Sequence, residues 1–219
     1  MAEPLPVRQV SAVAGAMPGL RAGTGANRMI GMTLRSPVRA QGAGLVPEMG
    51  GEPGMTVEPR AFRDTLGRMP TGVTVITTTA QDGEMHGVTI GSFSSLSLEP
   101  PLVLFCLDKD ANCRQAFLDS THFAVNVLAE DQSSLSSIFA TKNAPRPWHD
   151  LEYYLGEASG APLMAGAVAQ IECATEAIHD GGDHDILIGR AKTLATDGAS
   201  RPLIFFAGGY RRLDADGSS

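Results

Sequence analysis

Val73-Thr74-Val75-Ile76-Thr77-Thr78-Thr79 is a β-branched run of strand length, and several other strand-length runs follow it. Side chains branched at Cβ lose rotamer freedom in a helix and pack well on a pleated surface, so the run is expected to be a strand. Gln81-Asp82-Gly83-Glu84 reads as a turn and His86 to Ser92 as the returning strand of an antiparallel hairpin. After Pro100-Pro101, Leu102 to Leu107 is continuously apolar, and Phe123 to Leu128 is similar. Gln170 to His179, Asp185 to Leu194 and Leu203 to Phe206 complete the strands. Helices are fewer and short. Pro59 suits a first helical turn, with Thr56 or Val57 just outside it and Phe62, Leu66 and Met69 at helical spacing up to Pro70-Thr71-Gly72. Asn112 can cap a helix through Asp119, and Asp131 one that places Leu135, Ile138 and Phe139 on a single face. Lys142 to Pro162 reads as loop, carrying Trp148 and Tyr153-Tyr154. No βαβ alternation repeats. The expected class is therefore mostly β with peripheral helices, an antiparallel barrel rather than a doubly wound sheet.

Composition separates this core from what precedes it. Residues 1–55 hold ten glycines, six prolines and none of the 12 aromatic residues of the 219-residue chain. Such a segment cannot bury enough apolar surface to offset its ordering entropy. It is read as disordered, or as lying before the true translation start, with Met55 the favoured start. Its five arginines faintly suggest a transit peptide, but the Gly and Pro content spoils an amphipathic helix. The expected organisation is one domain over 56–213, followed by a flexible terminus at 214–219. The net charge of −7 argues against binding nucleic acid through its phosphates. No apolar run has the length of a membrane-spanning helix. Cys106, Cys113 and Cys173 are odd in number and lack CxxC spacing, which excludes a disulfide framework and a zinc knuckle. The expectation is a reducing cytoplasm, with Cys106 and Cys173 buried as small apolar residues.

Two stretches carry candidate chemistry. In Gly87 to Pro101, four serines, Thr89 and Gly91 gather hydroxyls and backbone N–H groups at a strand end. Such a strip can hydrogen-bond a polar heteroaromatic edge or a phosphate, and it can equally be an ordinary Ser-rich turn. The second, Ile178 to Arg190, clusters His179, His184 and the aspartates 180, 183 and 185 around Gly181-Gly182. It reads as a turn between strands; no third group stands at zinc-like spacing, so no metal is expected. There is no GxSxG elbow, and Gly23-Thr24-Gly25 has no strand before it or helix after it. Cys113 with His122 could be a nucleophile and base, but nothing else supports a thiol enzyme, and Cys113 is read as structural or incidental.

Taken in order, Thr71 to Thr78, Ser92 to Leu104, Phe123 to Leu128, Gly182-Asp183-His184, and Arg201 to Phe206 with Gly208-Gly209-Tyr210 resemble the flavin reductase family. These are the reductase components of two-component flavin monooxygenases, and the likeness is greatest to those serving steroid and phenol ring hydroxylation. The resemblance covers about residues 58–213. It implies an FMN-binding split barrel, a homodimer, and an NAD(P)H:flavin oxidoreductase that reduces FMN or FAD for a partner monooxygenase. The other class with such barrels, a flavin- or haem-binding module without pyridine-nucleotide turnover, stays open. By resemblance, Thr89, Gly91, Ser92, Phe93, Ser94 and Ser95 meet the flavin ring, and Asp108, Lys109, Asn112 and Arg114 form a phosphate loop. Ala111-Asn112-Cys113 departs from the family's frequent Ser/Thr pair there. Gly182, Asp183 and His184 are implied to bind NADH or NADPH. No catalytic acid or base is required, because the two cofactors carry the hydride transfer.

Overall fold

The computed structural model describes residues 57–142, 146–198 and 200–213. In chain order the elements are α1 (Pro59–Leu66), β1 (Thr71–Gly72), β2 (Thr74–Thr79), β3 (Met85–Ile90), β4 (Ser94–Ser97), β5 (Leu102–Asp108), α2 (Arg114–Asp119), β6 (His122–Val127) and α3 (Ser133–Ala140). A 3₁₀ turn at Trp148–Asp150 leads to β7 (Tyr153–Leu155), β8 (Pro162–Met164), β9 (Ala169–Gly181), β10 (His184–Thr196), β11 (Ile204–Phe206) and β12 (Gly209–Arg211). Seven strands form one antiparallel sheet in the order β3-β2-β6-β9-β10-β5-β4.

That order closes the sheet. β3 and β4 lie at its opposite edges, yet only Gly91-Ser92-Phe93 separates them in the chain. From Ile90 to Ser94 the backbone reaches at most about 14 Å. A flat seven-stranded sheet is about 28 Å across between its edge strands at ordinary strand spacing, so the sheet must curl until its edges approach. No ladder joins β3 to β5 among the described residues; the gap is spanned by the Ser92 hydroxyl, which accepts from Cys106 N–H at 3.0 Å and donates to Cys106 C=O at 3.3 Å. The barrel is split along this seam.

β2 has two buried faces. Ile76 packs inside the barrel with Val125, Leu107, Leu187 and Phe105, whose ring meets Phe117 and Phe123 edge-on at 5.9 and 5.2 Å. Val73 and Val75 pack outside it, with Leu128, Phe139, Met164 and Leu203, beneath Leu135, Ile138 and Trp148. Two glycines make these contacts possible. A Cβ on Gly189 would stand 2.2 Å from the Phe123 ring, and one on Gly87 2.6 Å from the ring of Phe139.

Several sequence expectations shift. Leu102 to Leu107 is buried only at alternate residues, so Cys106 is half-buried beside the seam, while Cys173 is buried as expected. Glu58, rather than Thr56 or Val57, caps α1, its carboxylate accepting from Arg60 and Ala61 N–H. α2 starts at Arg114 after Cys113, and α3 at Ser133 after Gln132, in place of caps at Asn112 and Asp131. The 142–162 loop contains β7 and ends where β8 begins, strands too short to show in a pattern. Phe62 and Leu66 stand one turn apart on α1, Met69 lies in the turn that follows it, and all three are exposed. The readings of residues 1–55 and 214–219 lie outside the described residues.

Candidate functional site

A cleft of about 810 Å³ follows the seam. One wall is β3 and its continuation, from His86 to Ser92; the facing wall is Cys106, Asp108 and the Ala111-Asn112-Cys113 segment. Phe139, Thr141, Lys142, Arg146 and Trp148 close one end, and His184 stands at the rim. The volume falls within the range of small-molecule sites, and the lining mixes apolar side chains with a few polar ones.

Several of the polar groups are positioned by identifiable contacts. Thr89 donates its hydroxyl to Ser136 C=O at 2.6 Å, tying the β3 wall to α3. Trp148 donates Nε1–H to Met85 C=O at 2.9 Å, and its ring packs 5.2 Å from Phe139 and 5.5 Å from Tyr153. Across the cleft, Asp108 accepts from Lys142 Nζ at 2.7 Å and from Asp110 N–H at 2.8 Å. The Lys142 ammonium, more than the Asp110 amide, holds the Asp108 carboxyl below its ordinary value, and Lys142 is raised by the same bond. His184 opens β10 two residues after Gly182, whose φ of +83° makes the reversal out of β9. Its Nδ1 lies 2.7 Å from Asp183 Oδ1, and this bond lowers the Asp183 carboxyl. An amphipathic planar ring with an anionic tail suits this set: apolar wall, strand-edge polar groups, and cations at one end.

A family model described as the flavin reductase like domain matches residues 66–214. The chain belongs to the flavin reductase family. Reductase subunit HsaB of the flavin-dependent monooxygenase of Rhodococcus jostii (strain RHA1) is 41% identical over 160 residues, covering 73% of this chain and 80% of that one. FMN reductase (NADH) SmoA of Agrobacterium fabrum is 43% identical over 155 residues, 70% of this chain and 86% of that one. The solved structure of the Streptomyces globisporus NADH:FAD oxidoreductase SgcE6, in complex with NAD and FAD fragments, is 40% identical with a TM-score of 0.69. It covers 74% of this chain and 99% of that one.

The structure draws together Thr89, Gly91, Ser92, Asp108, Asn112 and His184 on the cleft. Other expected site residues stand elsewhere within this chain. Phe93 packs against the barrel core, and Ser94 and Ser95 are exposed on β4, opposite Leu104 and Val103 of β5. Lys109 bonds Asp180 and, at 2.7 Å, the carbonyl of Gly182. Arg114 donates to the buried Asp185 at 2.6 Å, and that bond raises its guanidinium. These two cations brace the 180–185 turn. Asp183 and Gly182 belong to the same turn, the Asp183 carbonyl accepting Lys109 N–H at 3.0 Å. Sequence reasoning missed Trp148, Lys142, Arg146 and His86 as cleft residues. The only available signal was the chain's single tryptophan among cations in a patternless stretch.

Proposed function

We propose that this chain is an NADH-dependent reductase of free FMN or FAD that supplies reduced flavin to a separate oxygenase component. The observation that carries the reading is the split seam itself. It opens one cleft with the Thr89 to Ser92 wall on one side and the His184–Asp183 pair at the rim, in a chain about 40% identical to NADH-dependent FMN and FAD reductases. A bound flavin supplies the hydride-accepting ring. The residues of the chain hold and orient. The Thr89, Gly91 and Ser92 stretch meets the polar edge of the ring, stiffened by the bonds of Thr89 to α3 and of Ser92 across the seam. Asp183 keeps the proton on His184 Nδ1, which leaves Nε2 as the nitrogen for a nicotinamide carboxamide. Trp148 and Phe139 exclude water from the closed end.

The homodimer belongs to the same proposal. Phe62 and Leu66 on α1 and Met69 just after it are 56, 53 and 64% exposed, and a second copy is the cover that the reading assigns to them. Residues 56–213 suffice for the activity, so a chain beginning at Met55 reduces flavin as the full chain does.

The test is spectrophotometric. FMN or FAD is added to the protein, then NADH, and absorbance at the nicotinamide band is followed. Catalytic loss of that band is expected. Flavin binding without NADH oxidation would instead identify a flavin-holding module.

A further inference from the structure

Tyr210 stands outside the cleft, yet only two hydrogen bonds separate it from the Thr89 wall. β11 and β12 are joined by Ala207-Gly208, with φ of +50° and +76°. Two left-handed residues in succession make the tight reversal whose twist matches that of the flanking strands. Ala207 N–H fastens the turn to the end of α1, donating to Gly67 C=O at 3.0 Å. One residue past Gly209, Tyr210 pairs with Phe205, the two rings edge-on at 5.7 Å. The tyrosine body packs against the outer core, and its hydroxyl reaches α3. It donates to Ser136 Oγ at 2.9 Å and lies 3.4 Å from Ser137 Oγ.

Ser136 is the junction. Its side chain is fully buried and takes the Tyr210 bond, while its carbonyl accepts the Thr89 hydroxyl at 2.6 Å. The same helix sets the Phe139 ring against Gly87. Gly87 and Thr89 alternate along β3 and so share a face, and α3 bears on the cleft wall at both.

We propose that Tyr210 is a positioning residue for flavin reduction: through Ser136 it fixes the Thr89 side chain in the orientation that the cleft uses. The proposal rests on the flavin-reductase reading above, which sets the Thr89 stretch against the ring. The Thr89 hydroxyl has three staggered positions, and the Ser136 carbonyl selects one of them. A buried serine hydroxyl that loses its outside partner turns to the carbonyl one turn back in its own helix, and that bond bends the helix. Removing the Tyr210 hydroxyl therefore displaces the carbonyl that holds Thr89, with Tyr210 itself touching no ligand.

Tyr210→Phe keeps the ring and its contact with Phe205 and deletes only the hydroxyl. Steady-state kinetics of the full chain are measured with NADH and FMN and, in parallel, FAD. The KM for flavin is expected to rise about fivefold, while kcat and the KM for NADH at saturating flavin stay within about 1.5-fold. Ser136→Ala should give the same split, and the double variant no more than either single one. In Thr89→Val, which cannot bond Ser136, Tyr210→Phe is expected to move the KM for flavin by less than about 1.5-fold. In Thr89→Ser, which keeps the donor, the full effect returns. An effect of equal size in Thr89→Val overturns the proposal, as does a KM for flavin unmoved by Tyr210→Phe. A fall in kcat and melting temperature without that split would make Tyr210 structural and overturn it too. A wild-type chain that oxidises no NADH with either flavin defeats the underlying reading, and this proposal with it; lost coupling in an active enzyme defeats this proposal alone.

Discussion

Asn126, Gln170 and Glu172 are no less polar than Asp108, Lys142 and His184, yet the two groups do opposite things. On the closed side of the barrel, Asn126 is fully buried, accepting from Met164 N–H at 2.8 Å and Gln170 Nε2 at 3.1 Å while donating to Val75 C=O at 3.1 Å. Glu172 accepts from Thr193 Oγ1, Ser159 N–H, Ser159 Oγ and Ala158 N–H, all within 2.9 Å. Among the described residues no buried side-chain polar atom is left without a partner. At the seam, Lys142 and Asp108 are matched by each other across an open cleft, and Asp183 and His184 are likewise paired at its rim. A polar group answered by backbone and hydroxyls of its own fold is structural. One answered by an exposed counter-charge can exchange that partner for a ligand. Polarity does not locate the site; exchangeability does.

The comparison breaks if closed-side substitutions spare stability or seam substitutions destroy it. Glu172→Ala is expected to do most, leaving four donors facing a vacated carboxylate site and costing about 3–5 kcal/mol by chemical denaturation. Gly189→Ala should cost about 1–3 kcal/mol, because the new Cβ drives into the Phe123 ring and toward Cys173. Acid tests the same network by another route. Burial pushes the Glu172 carboxyl up, but the bonds from Thr193, Ser159 and Ala158 together outweigh it and hold it below its ordinary 4.5. Its contribution is therefore complete above that value and lost as pH falls through the lower folded-state pKa, so the melting temperature should drop there, less steeply in Glu172→Gln. The seam should respond in the opposite sense. His184→Ala is expected to lower kcat/KM for NADH about tenfold while moving the melting temperature by less than about 2 °C and leaving flavin affinity unchanged. Parallel collapse of flavin binding and thermal stability in that variant would make His184 a structural residue.

What was legible in the sequence divides along physical lines. Runs such as Val73–Thr79 declare a strand because propensity acts over six or seven consecutive residues, whereas β1, β7, β8 and β12 span only two or three and leave no pattern. The α1 face was legible as apolar, but periodicity marks a surface that needs cover without saying what supplies it. The cleft was legible where a turn and a strand end announce themselves, at Thr89, Ser92 and His184. Lys109 and Arg114 were adjacent to the right segment, but the aspartates that hold them come 71 residues later and only the register of β10 against β5 brings them near. Lys142, Arg146 and Trp148 sit where no period exists to read.

The three-residue link of Gly91-Ser92-Phe93 has a mechanical consequence. Hydrogen-bonded ladders set the spacing of every other neighbouring pair in the seven-stranded sheet, but at the seam a covalent strap of fixed length, with the two Ser92–Cys106 bonds, limits the width. A single backbone cut within that strap would leave all six ladders paired and yet remove the covalent limit on how far the two edges can separate. Sheet integrity and grip on a ligand are thus separable in this barrel: a nicked chain would keep its circular dichroism spectrum and lose its hold on flavin.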